Sequence, residues 1–235
     1  MSYPYFLTRF DSTMIILIPA IILTLYAQSR VKSSFDKYLR VQARKGYSGA
    51  QVARMILDNN GLHNISVEMT PGYLSDHYDP TKRVLRLSGE VFQGRSIAAV
   101  SVAAHEAGHA IQHSSGYMPL SVRNMIFPVA KFGSSAAWGF IIIGLFIPEL
   151  GVLMDIGIFL FAAAVAFQVI TLPVEFNASR RALKLLESNG FIVAGEEQGA
   201  EKVLKAAALT YIAAMASGIT QLIRLILIRN RSRRR

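Results

Sequence analysis

Residues 105–113 read His-Glu-Ala-Gly-His-Ala-Ile-Gln-His, which sets two imidazoles four positions apart with a carboxylate directly after the first. On an α-helix, positions i and i+4 stack on one face, so His105 and His109 can aim a ring nitrogen at the same metal ion. Glu106 lies about a hundred degrees around the helix, where it reaches a water at that ion without ligating it. A Lewis acid beside a carboxylate that can take a proton is the equipment of hydrolysis. Residues 96–104 are small and apolar, which predicts a buried helix whose imidazoles need partners.

The His-Glu-x-x-His spacing on a helix is that of zinc hydrolases. The chain has no cysteine, so thiolate catalysis and Cys-based zinc sites are excluded and any metal rests on His, Asp or Glu. A catalytic zinc usually takes three protein ligands and leaves a fourth position for water. His113 stands two turns from His105 on the same helix, about 12 Å along the axis, and no chain-turning glycine separates it from His109, so it is excluded as the third ligand. Glu175, in Leu-Pro-Val-Glu-Phe-Asn-Ala-Ser-Arg-Arg at 172–181, is the better choice. Two apolar spans separate it from the metal helix, and an antiparallel pair returns the chain to the membrane face it left.

Those spans follow from composition. With 52% hydrophobic and 17% charged residues, the apolar residues clustered, the chain is too apolar for a soluble unit of 235 residues. Residues 13–27 form an apolar run ending at a polybasic segment and read as an uncleaved anchor. Residues 126–147 and 152–172 form a hairpin turned by Pro148-Glu149-Leu150-Gly151. Between anchor and hairpin, 48–60 reads as a short amphipathic helix capped by Ser48 and stopped at Gly61. Residues 65–69 and 83–87 alternate as two strands joined through turn chemistry, with 83–87 offering an edge to an extended substrate. The fold class expected is a mainly α integral membrane protein, in which a small α+β unit of helix, strand pair and metal helix is joined to a transmembrane helical hairpin.

The formal net charge of +10 sits beside apolar runs, at Arg30, Lys32, Lys37, Arg40, Arg44 and Lys45 and in the tail Arg229, Arg231, Arg233, Arg234 and Arg235. Charge so placed reports membrane orientation and contact with the lipid bilayer, and without a groove-binding motif it argues against a nucleic-acid partner. The hairpin turn carries Glu149 and no Lys or Arg, whereas Arg123, Arg180, Arg181 and Lys184 lie at its feet. The tip should therefore face outside and the feet the cytoplasm. Crossing by residues 203–228 would export the arginine tail, so that segment is expected to bend or lie along the cytoplasmic side.

At the two ligand segments, and at Leu74-Ser75-Asp76-His77-Tyr78-Asp79-Pro80 and Arg86-Leu87-Ser88, the chain resembles the neutral zinc metallopeptidases of bacterial membranes (YugP type). This is a family of the gluzincin clan, distantly like HtpX-type and CAAX prenyl proteases. The resemblance implies a zinc-dependent metalloendopeptidase of the plasma membrane, multi-pass, with the site facing the cytoplasm. It implies one zinc per chain on His105, His109 and Glu175, Glu106 as general base, and a peptide or membrane-protein substrate. In such families the second motif is Glu-x-x-x-Asp; its glutamate matches Glu175, and its aspartate falls on Ser179, leaving Asn177 or Ser179 to steady a histidine. For the oxyanion donor the chemistry offers Arg180, His77 and Tyr211. The expected division is an anchor at 1–29, the cytoplasmic zincin-like unit at 30–124, the hairpin at 125–172, a helix with the third ligand at 173–202, and a membrane-associated helix with a basic tail at 203–235. The competing reading is a non-catalytic membrane scaffold or transport component held together by zinc, and the sequence leaves the oligomeric state open.

Overall fold

The computed structural model describes residues 12–233; the start of the anchor and the last two arginines lie outside the described residues. The chain is mostly helical and divides into two compact units. One contains residues 27–123 and 170–211, the other residues 1–26, 124–169 and 212–235.

In the first unit, α1 (Ile18–Leu39) contributes its second half and is followed by α2 (Gly49–Asn59). Ser48 accepts from the Gln51 N–H while Gln51 Oε1 accepts from the Ser48 N–H, a capping box that fixes where α2 begins. The chain leaves α2 through Gly61 at φ +73°, which a side chain would disfavour. Three strands follow, β1 (Ser66–Thr70), β2 (His77–Asp79) and β3 (Val84–Ser88), then a single turn α3 (Gly89–Phe92) and α4 (Ile97–Ser114), the helix of the His-Glu-x-x-His motif. Ser96 caps α4 by accepting from the Ala99 N–H.

The two expected strands pair with each other in parallel, Ser66 opposite Val84 through Thr70 opposite Ser88. The segment between them supplies the third, β2, which pairs antiparallel to β3 with His77 opposite Arg86. The order β1-β3-β2 corrects the expectation that 83–87 offers an edge: β3 is the central strand, and β2 is the edge in contact with α4. The reason is burial. Val84, Leu85, Leu87 and Ser88 are all buried, whereas β1 and β2 are half-exposed.

The core of this unit packs Val52, Ile56 and Leu57 of α2 and Leu85 and Leu87 of β3 against Ile97, Val100, Ala103, Ala104 and Ala107 of α4. Ala182 and Leu186 close it from α6 (Gly151–Ser188). Alanines at 103, 104, 107 and 110 keep α4 slim enough to be surrounded. A Cβ on Gly108 would stand 3.1 Å from the Ala178 carbonyl, so glycine there is what lets α4 and α6 approach.

The second unit holds the apolar parts of α1, α5 (Met118–Phe146), α6 and α7 (Glu197–Arg233). All four helices are long and apolar enough to cross a membrane. Large apolar side chains such as Ile22, Phe132, Val152 and Phe159 are more than half exposed, a surface that lipid rather than water would cover. Glycines again set the spacing, since a Cβ on Gly144 would stand 2.4 Å from the Met154 nitrogen and one on Gly157 2.8 Å from the Ala137 carbonyl.

In this unit the C-terminal end of α7 lies beside the hairpin turn. Arg229 donates to both oxygens of Asp155, at 2.8 and 2.7 Å, and its guanidinium packs over Gly151. The bend that was one expectation for 203–228 is absent, and Arg229 stands beside the hairpin turn. Helix α7 is unbroken, and the bidentate pair neutralises the arginine whose charge argued against that position.

Candidate metal centre

Every residue of the centre belongs to the first unit. Helix α4 presents His105 and His109 one turn apart with their rings edge-on, centroids 4.8 Å apart. Helix α6 presents Glu175 between them. Its Oε2 lies 3.3 Å from His105 Nε2 and 3.4 Å from His109 Nε2. Around a tetrahedral zinc with ligands at about 2.0–2.1 Å, neighbouring donor atoms stand about 3.4 Å apart.

The chemistry of the donors supports the same reading. Glu175 is only 2% exposed, and its Oε2 is buried with no hydrogen-bond partner. A buried carboxylate oxygen without a donor is costly unless a cation answers it. The nearest guanidinium, Arg123, is 3.7 Å from the other oxygen. Two imidazole nitrogens and one unsatisfied carboxylate oxygen converging on a point form the donor set that zinc takes from a chain without cysteine. Among the described residues, His105, His109 and Glu175 form the one cluster of potential ligands of this kind.

The partners of the ligands are also in place. Ser179 Oγ is 3.2 Å from His105 Nδ1, so of the two expected substitutes for the aspartate it is Ser179 that meets a histidine. Asn177 instead meets Gln112 Nε2 at 2.9 Å and Arg181 Nε at 2.7 Å. Gln112 Oε1 is 2.9 Å from His109 Nδ1. Burial alone would push the His109 imidazole down, but the Glu175 carboxylate 3.4 Å away and the charge of Glu106 outweigh it, and the net direction is up.

Glu106 is buried beside the pair, near enough for its charge to act on Asp76 and Tyr211. Asp76, just before β2, accepts from the Ser88 N–H at 2.8 Å and from the Ser88 hydroxyl at 3.1 Å. Burial pushes its carboxyl up, the Ser88 N–H opposes this, and the negative charge of Glu106 adds to the rise. The segment around β2 is flanked by left-handed backbone at both ends, Leu74 at φ 53° and Arg83 at φ 51°.

The other sequence candidates separate cleanly. His113 stands outside the cluster, its Nδ1 2.9 Å from the Tyr78 hydroxyl, and so pins β2 to the end of α4. His77 is exposed and turns its Nδ1 to the Ser75 carbonyl, and Arg180 lies along its own helix toward the Phe176 carbonyl. Tyr211 is the oxyanion candidate that faces Glu175 and Glu106. Sequence reasoning missed Gln112 and Asp76. The available signal for Gln112 was an amide one turn beyond His109 inside an otherwise apolar helix, where it must find partners.

The family model described as "Putative neutral zinc metallopeptidase" matches residues 13–230. The chain is 52% identical over 211 residues to the "Putative membrane protease YugP" of Bacillus subtilis (strain 168), covering 90% of this chain and 93% of that protein. No solved structure matches. The family match runs through both ligand helices and every residue of the cluster, and the chain belongs to this family of neutral zinc metallopeptidases.

Proposed function

We propose that the protein is a multi-pass membrane zinc endopeptidase of gluzincin type, with one zinc per chain on His105, His109 and Glu175 and Glu106 as its general base. The observation that carries this is the unpartnered Oε2 of a buried Glu175 facing two imidazole nitrogens at 3.3 and 3.4 Å. Zinc, when bound there, supplies a Lewis acid that acidifies water and polarises a peptide carbonyl.

The chain's own residues do the rest. Glu106, adjacent to a ligand and itself outside the ligand cluster, takes a proton from the attacking water and returns it to the leaving amine nitrogen. Tyr211, whose phenol faces Glu175 and Glu106, is the donor for the developing oxyanion. An extended substrate pairs with β2, the edge strand that Tyr78 and His113 pin against α4. Substrates are membrane-protein segments or juxtamembrane peptides, since the ligand-bearing α6 is also a candidate membrane span.

The test is hydrolysis of a peptide mixture by purified, zinc-loaded protein in detergent, with products identified by mass spectrometry, against the Glu106→Gln variant. The expected result is cleavage by the parent and a loss of about 10²–10⁴-fold in the variant, with zinc retained by both. A zinc-clamped scaffold without catalysis would bind the metal in both and cleave with neither.

A further inference from the structure

Gln112 is fully buried and uses its whole amide. Its Nε2 donates to the Val174 carbonyl at 2.8 Å and to Asn177 Oδ1 at 2.9 Å, while its Oε1 faces His109 Nδ1 at 2.9 Å. Amide and imidazole groups can each be turned to donate or accept, but two members of this network cannot change role. A backbone carbonyl only accepts, and Arg181 Nε, 2.7 Å from Asn177, only donates. Arginine therefore fixes the oxygen of Asn177 toward itself and Gln112. That oxygen and the Val174 carbonyl fix the NH₂ of Gln112, so its oxygen must face His109. Nδ1 of His109 must then carry the proton, and the lone pair is left on Nε2, the atom 3.4 Å from the unpartnered Glu175 oxygen.

We propose that Gln112 is a positioning residue that commits His109 to its metal-ligating tautomer and couples that choice to the helix carrying Glu175. The coupling is short: the carbonyl it holds belongs to Val174, the residue before the ligand. His105 has no such lock. Its Nδ1 meets a serine hydroxyl at 3.2 Å, a group that donates and accepts equally well, so the polarity of the ligand set comes through His109.

This inference rests on the metal-site reading above, and its test separates the two. In ¹⁵N-histidine NMR of the metal-free protein in mildly alkaline buffer, His109 should hold a slowly exchanging proton on Nδ1, opposite to the form a free imidazole prefers. A proton on Nε2 with Nδ1 bare, or averaging between the two nitrogens, would overturn the proposal. Gln112→Met, which fills the space without the hydrogen bonds, should bind zinc about 10–100-fold more weakly and change the visible spectrum of the cobalt-loaded protein. Ser179→Ala should lose less affinity than Gln112→Met. Parental affinity and spectrum in Gln112→Met, or a larger loss in Ser179→Ala, would contradict the assignment. If Gln112→Met does not fold, the tautomer of the parent protein decides. Failure of the parent to take up zinc would overturn the metallopeptidase reading, while the metal-free tautomer still tests the role of Gln112.

Discussion

Asp76 shows how a single side chain can carry the cost of a site. Its carboxyl is raised in the folded protein by burial and by the negative charge of Glu106, so ionising it at neutral pH is unfavourable relative to the unfolded chain. A raised carboxyl binds its proton more tightly when folded, so stability falls as pH rises from the ordinary carboxylate range through the folded value. Asp76→Asn, which keeps an acceptor for the Ser88 N–H, should be more stable than the parent at neutral pH, and the difference should vanish in acid. Thermal unfolding in detergent across pH measures this; an equal gain at all pH values would show that the charge is not responsible. At this scale the spacing in the sequence made His105, Glu106 and His109 legible, and topology added Glu175. Gln112 and Asp76 were not legible because their partners, Val174, Asn177 and Ser88, are distant in sequence and lie on other elements.

Among the elements, α4 and α6 matter most because each brings part of the ligand set. Their approach depends on Gly108 against the Ala178 carbonyl. Gly108→Leu should push the helices apart, destabilising the protein by about 1–3 kcal/mol and lowering zinc occupancy together with it. Thermal unfolding alongside metal analysis checks this, and full zinc occupancy with parental stability would show that the approach is not critical. Periodicity and capping residues predicted α2 and α4 well, since Ser48, Gln51 and Gly61 act locally. The strand order was not legible. Both predicted strands are in the sheet, but β2 is three residues long, too short to show alternation, and its presence moves the free edge away from 83–87.

For the whole molecule, helix length and charge placement decide how the protein meets the membrane. Helix α6 has 38 residues, about 57 Å, far more than the roughly 30 Å of a bilayer core. It can therefore cross and still carry Glu175 beyond the hydrocarbon. Of the four helices long and apolar enough to cross, the anchor and hairpin were legible in composition; the arginine tail argued against the fourth, and its ion pair with Asp155, 74 residues earlier, leaves no local trace in the sequence. The chain has no cysteine, so single cysteines can be labelled without background. Cysteine at Glu149 should react with an impermeant maleimide in intact cells, and cysteine at Gln51 only after permeabilisation; the reverse pattern would place the α+β unit outside. The central claim, a zinc site of two histidines and one distant glutamate, is tested most directly by the zinc content of purified Glu175→Ala beside His113→Ala. Zinc should be lost from the first and fully retained by the second, and zinc retained by Glu175→Ala would contradict the assignment.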